Sequence, residues 1–207
     1  RNPRVLAGLE RSKSDLRPTL FYEAHTSSSR EEPSKEMETL RQIGGIITIT
    51  KHLKDSYSQS GVPPEQILVA PDGVSLERFA DLPGRQAARR QLNLPKGGKL
   101  VCYTGHLYPW KGVDTLVRSA RHLSADHHIC VVGGRPDDLA LVEGIIEREE
   151  LQHVELLGYV PPTQVPLYTA AADVLVLPTS GQRAIGRHYT SPLKLFEYMA
   201  AERPIVA

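Results

Sequence analysis

The 207-residue chain has little of what would announce a metal centre, a redox pair or a membrane span. Its two cysteines, Cys102 and Cys130, show neither zinc-ligand nor CxxC spacing. Both fall in apolar runs read as buried strands, where a reduced thiol acts as a small hydrophobe. No apolar run approaches the roughly 20 residues of a transmembrane helix, and the N-terminus lacks the apolar core of a signal peptide. Neither sign of charge is in excess: 25 basic residues face 24 acidic ones. That balance excludes a basic nucleic-acid face or an acidic tail as the organising feature. The composition therefore predicts a cytoplasmic protein with no nucleic-acid partner.

What is present is alternation. Residues 19–22 read as a strand, 23–26 as the loop at its C-terminal end, 36–42 as a helix stopped by Gly44-Gly45, and 46–50 as a buried strand. A helix over 51–60 ends at Gly61, and a strand over 67–70 closes on the turn Pro71-Asp72-Gly73-Val74. Residues 75–98 turn to Arg, Gln and Pro, which sets a boundary there. Beyond it come strands at 100–104, 128–132, 154–157 and 174–177, helices at 112–123, 136–150 and 164–172, and a closing helix and strand. His127-His128 reads as an exposed pair ahead of its strand. Repeated strand–helix alternation predicts a doubly wound parallel α/β sheet. The expected domains are 1–74, an incomplete α/β portion; 75–98, a connector; and 99–207, a Rossmann-like domain. Because the chain opens on Arg1-Asn2-Pro3 and stops on a strand, it is expected to be a piece of a longer protein, inactive alone.

In such sheets ligands bind beyond the C-terminal strand ends. Two stretches fall there. In Gly105-His106-Leu107-Tyr108-Pro109-Trp110-Lys111-Gly112, a lysine beside a glycine at a helix start suits a diphosphate, with His106 as a second donor. Trp110 reads as either a packing residue or a ring lining the cleft. In Thr190-Ser191-Pro192-Leu193, two hydroxyls before a proline signal a capped helix start, which offers free N–H groups to phosphate. One turn on, Glu197 is a carboxylate between Phe196 and Tyr198. It reads either as an acceptor for ligand hydroxyls or as a glutamate paired with Lys194 or Arg203.

Taken together, Tyr-Thr-Gly-His-Leu-Tyr-Pro-Trp-Lys-Gly-Val-Asp, Leu-Gly-Tyr-Val-Pro, Ala-Ala-Asp-Val-Leu-Val-Leu-Pro and Ser-Pro-Leu-Lys-Leu-Phe-Glu-Tyr-Met-Ala-Ala, in this order, resemble the family 4 retaining glycosyltransferases of GT-B fold. The resemblance is strongest from residue 100 on. It implies a second domain that binds a nucleotide-diphosphate sugar, with Lys111 on the diphosphate and the amides around Ser191, Pro192 and Leu193 on phosphate. It also implies Glu197 on the ribose hydroxyls and the backbone near Tyr159 and Val160 against the base. The N-terminal portion resembles the acceptor-side domain, with His25 near the transfer point. The implied reaction retains anomeric configuration, uses no metal or cofactor beyond the donor, and serves a glycan, lipid or small-molecule acceptor. A lipid acceptor would bring the basic segment 78–99 against the inner face of a membrane.

Two departures stand out. His106 occupies the place of the family's arginine, so a permanent cation gives way to one that titrates near neutrality. Tyr189 occupies the place of the first of the family's paired acids, leaving His188, Arg183 and Arg187 as nearby polar candidates. The alternatives are a degenerate domain that binds nucleotide without turnover, a GT-B-fold epimerase or phosphorylase, and a scaffold with no small-molecule site.

Overall fold

The computed structural model describes residues 20–26, 35–179 and 193–207. Among them the chain divides into two compact units, one ending at Asp72 and one beginning at Gly73.

The first unit holds β1 (Phe21–Ala24), α1 (Lys35–Gln42), β2 (Gly45–Thr48), α2 (Lys51–Gln59) and β3 (Ile67–Val69). The strands pair in parallel in the order β1-β2-β3. The first strand lies two residues later than expected. Ala24 is fully buried opposite Thr48, so Glu23 and Ala24 belong to β1 and only His25 and Thr26 follow it. Thr50 caps α2 by accepting the Leu53 amide at 3.2 Å, which orients the helix for Leu53 and Tyr57 to bury.

The second unit carries the site. Its elements are α3 (Arg85–Gln91), β4 (Lys99–Thr104), α4 (Val113–Arg118), β5 (His127–Val132), α5 (Pro136–Arg148), β6 (Val154–Gly158), α6 (Val165–Ala171), β7 (Val174–Val176), α7 (Leu193–Ala200) and β8 (Ile205–Val206). All five strands are parallel, in the order β6-β5-β4-β7-β8. Side chains alternate across a strand, so one sheet feeds two cores. Tyr103, Ile129 and Val131 join Val113, Leu116 and Val117 of α4 and Val142 of α5. Cys102, Cys130 and Val132 join Ala88 of α3, Ala170 of α6 and Tyr198 of α7. Helices therefore cover both faces, and the fold is doubly wound α/β. Cys102 and Cys130 are register partners in the central strands, both free and buried. The Cys102 thiol beside it and its own burial push the Cys130 thiol well above the ordinary range, which keeps it protonated and inert.

Residues 75–98, expected as a connector, pack into this unit. Phe79, Ala88 and Leu94 are core residues, and Arg89 is fully buried. Arg89 forms an ion pair with Asp173 and donates to the carbonyls of Ala171, at 3.0 Å, and Gly98, at 3.2 Å. Asp173 also accepts the Leu100 amide at 2.7 Å and pairs with Arg85 at 2.7 Å. One carboxylate thus ties α3 to the starts of β4 and β7.

Two local expectations are corrected. The helix at 112–123 is α4 followed by a 3-10 turn, Ser119–His122, because the Ser119 hydroxyl donates to the Leu116 carbonyl at 2.6 Å and competes for the ladder. His127 and His128 open β5 and are half-buried. His127 sits 2.8 Å from Asp126, and His128 meets His153 edge to face at 5.3 Å. No described helix is long and apolar enough to cross a membrane.

Candidate functional site

The strand order locates an opening. From β4 the chain steps through β5 and β6 on one side, then returns to lay β7 and β8 on the other. The switch point therefore falls between β4 and β7, where the loops leave in opposite directions and open a crevice. Gly112 closes the loop after β4 at φ 72°, and a Cβ there would lie 1.9 Å from the Pro178 carbonyl just after β7. Only glycine lets these two loops touch. Gly133 does the same after β5, where a Cβ would come 2.2 Å from the Gly105 carbonyl.

The loop after β4 is a stack. His106, exposed, lies over Tyr108 at 5.0 Å, and Tyr108 over Trp110 at 6.3 Å, both 20° from parallel. The Lys111 ammonium sits 4.0 Å above the Trp110 ring, a cation–π contact that holds it in place. Arg135, at the entrance to α5, donates to the Tyr108 hydroxyl at 3.3 Å. Trp110 is thus neither a core residue nor a bare lining ring but the platform under Lys111. Burial pushes the Lys111 ammonium below its ordinary range, and the nearby Lys194 charge pushes it further.

Glu197 lies on α7, with its side chain only 14% exposed. Lys194 holds one carboxylate oxygen at 2.7 Å, and the Arg78 guanidinium stands 3.8 Å from the other. The paired alternative holds for Lys194 but not for Arg203, which donates instead to the Ala170 carbonyl at 3.1 Å. Glu197 is nevertheless linked to the loop after β4, because its partner Lys194 is the charge that acts on Lys111. Lys111, Lys194, Glu197 and Arg78 form one neighbourhood carrying more positive than negative charge.

Other residues singled out from the sequence fall as follows. Gly105 donates its amide to the Val132 carbonyl at 2.8 Å, extending the β4–β5 ladder under the loop. Tyr159 is 75% exposed after β6, whereas Val160 packs against the core. Leu193 is the first described residue of α7, and it is exposed. Thr190, Ser191 and Pro192, with Arg183, Arg187, His188 and Tyr189, lie outside the described residues. His25 belongs to the first unit, where it pairs with Glu23 at 2.7 Å. Among the described residues, no group of three or more His, Cys, Asp or Glu could hold a metal ion.

Three further residues contribute to this neighbourhood. Lys194 had its helical spacing to Glu197 as a signal. Arg78 and Arg135 had none, since only the fold brings them to Glu197 and Tyr108.

A five-stranded parallel sheet of this order, with a cation-rich opening at its switch point, defines a doubly wound α/β domain. The chain belongs to the glycosyl transferases group 1 family, which it matches over residues 98–207, just over half its length. It is 28% identical over 171 residues to the D-inositol 3-phosphate glycosyltransferase of Kineococcus radiotolerans, a match covering 76% of this chain and 37% of that protein. It is 31% identical over 185 residues to the enzyme of that name from Geodermatophilus obscurus, covering 82% of this chain and 38% of that one. The chain thus spans a little over a third of these curated relatives. Among solved structures, Anabaena HepE in complex with UDP and glucose is similar over the whole chain and 57% of HepE, with a TM-score of 0.76 at 21% identity. Sucrose-phosphate synthase from Thermosynechococcus elongatus is similar over 93% of this chain and 51% of its own, with a TM-score of 0.66 at 24% identity. Those likenesses speak for the fold, that of GT-B glycosyltransferases.

Proposed function

We propose that this chain supplies the donor-binding part of an enzyme that moves a sugar from a nucleoside diphosphate to an acceptor hydroxyl, with retention and without a bound metal. The observation that carries the proposal is the half-buried Lys111, held over Trp110 and destabilised by Lys194. Two such ammonium groups meet the charge that develops on a leaving diphosphate, the role a divalent ion fills elsewhere. In this reading the amides at the start of α7 bind phosphate, Glu197 accepts ribose hydroxyls and the loop at Tyr159 and Val160 borders the base. His25 serves the acceptor side. The name of the curated relatives makes a phosphorylated polyol one acceptor to test, beside glycans and lipids. The HepE complex makes UDP the first nucleotide to try.

The test is transfer by the full-length enzyme in the presence of a chelator, with Lys111→Ala beside the unmodified protein. Loss of one charge-assisted contact predicts a drop of about tenfold to a hundredfold in turnover. Turnover that requires a divalent ion, or that is unchanged in the variant, contradicts the proposal. Nucleotide binding with no turnover in any acceptor screen supports the degenerate reading raised by Tyr189.

A further inference from the structure

The Arg78 guanidinium faces two partners at once. Nη2 donates to the Pro162 carbonyl at 2.5 Å, and Nη1 stands 3.8 Å from a Glu197 oxygen. Pro162 belongs to the loop after edge strand β6, directly beyond Tyr159 and Val160, whereas Glu197 belongs to the helix between β7 and β8. The Arg78 side chain is 38% exposed, so the ion pair alone contributes little. The short carbonyl bond is what fixes the guanidinium, and its planar fork then turns the other terminal nitrogen toward the carboxylate, at ion-pair distance. Lys194 holds the opposite oxygen of Glu197 at 2.7 Å. The carboxylate is thus aimed from both sides, by its own helix and by a residue outside the sheet.

We propose that Arg78 is a positioning residue of the donor site, coupling the base-side loop to the carboxylate that takes the ribose. This rests on the ribose role of Glu197 given above. A carboxylate gripping two neighbouring hydroxyls must present both oxygens at fixed positions. With Arg78 in place, ordering the 159–162 loop on a base also orders Glu197. Lysine at this position keeps the charge but lacks the rigid planar fork that holds Pro162 on one nitrogen while directing another at Glu197.

The experiment is calorimetric titration of the chain with uridine 5′-diphosphate and with its 2′,3′-dideoxy analogue, for the unmodified protein, Arg78→Lys and Arg78→Ala. The unmodified chain is expected to prefer the ribose form by at least about tenfold, the worth of a hydrogen-bonded charged group. Both variants are expected to shrink that ratio several-fold while thermal unfolding shows them folded. A purely structural role would weaken both nucleotides equally and leave the ratio intact, and that result overturns the assignment of Arg78 alone. Absence of any preference in the unmodified chain overturns the ribose role of Glu197, and the role of Arg78 with it.

Discussion

The hydroxyl of Tyr198 accepts a hydrogen bond from the backbone amide of Thr104 at 2.8 Å, tying α7 to the last residue of β4. Tyr198 is fully buried, and that burial pushes its phenol far above the ordinary range, so it stays a neutral partner at any working pH. The contact joins the residue after Glu197 to the strand whose loop carries Lys111. It sets the spacing between the two halves of the site.

Tyr198→Phe leaves the Thr104 amide buried without its acceptor, so a loss of about 1–3 kcal/mol is expected in urea unfolding. Tyr103→Phe is the control. Its hydroxyl donates to the carbonyl of exposed His106 at 2.6 Å, so its loss strands an acceptor in a surface loop rather than an amide in the core, and the expected loss is below about 1.5 kcal/mol. Equal losses in the two variants would show that α7 is not anchored through this hydroxyl.

Asp173→Asn strands the fully buried Arg89, and breaking a buried pair in this way costs about 3–5 kcal/mol. Partial burial raises the Asp173 carboxyl, but the Leu100 amide, Arg89 and Arg85 outweigh it and leave a net depression. A depressed carboxyl contributes stability that is fully present above its unfolded value, near pH 4. That contribution is lost as pH falls through the lower folded value. Acid unfolding followed by circular dichroism should therefore show a shallower low-pH decline in the asparagine variant than in the unmodified chain.

Glu150 holds φ 49° just past α5, where the Leu151 amide returns to the Ile146 carbonyl at 2.9 Å. This is a helix end that favours glycine. Relief of left-handed strain is about 1–2 kcal/mol, offset by roughly 0.5–1 kcal/mol of added freedom in the unfolded chain. Glu150→Gly should stabilise the chain by about 0.5–1 kcal/mol in thermal unfolding, and a destabilised variant would contradict this geometry.

The alternation of strand and helix was legible because buried parallel strands read as apolar runs and helices as spaced ones. Asp173 and Arg89 were not legible as a pair, since charges that neutralise one another across the fold leave no local pattern. The β1 boundary slipped for a related reason: Glu23 looks like loop, and only its pairing with Ile47 makes it strand. Lys111 and Glu197 stood out through their motifs. Of what holds them, Trp110 beneath Lys111 and Lys194 beside Glu197 are near in sequence, whereas Arg78 reaches Glu197 only through tertiary contact.

Lys111 supplies a pH signature. Its lowered ammonium pKa should rise again when a diphosphate sits beside it, so binding takes up a proton over the pH range between the free and bound values. Affinity for UDP should fall as pH climbs through the lowered value. Lys111→Arg stays charged throughout and should flatten that fall. An identical pH dependence in both proteins, measured by titration calorimetry, would assign the signature to another group.

The most direct measurement is a crystal structure of the chain with UDP bound. Diphosphate oxygens are expected within hydrogen-bond reach of both Lys111 and Lys194, and the Glu197 carboxylate, still flanked by Lys194 and Arg78, is expected to accept the ribose hydroxyls. A diphosphate seated away from both lysines, with the ribose hydroxyls out of reach of Glu197, would contradict this.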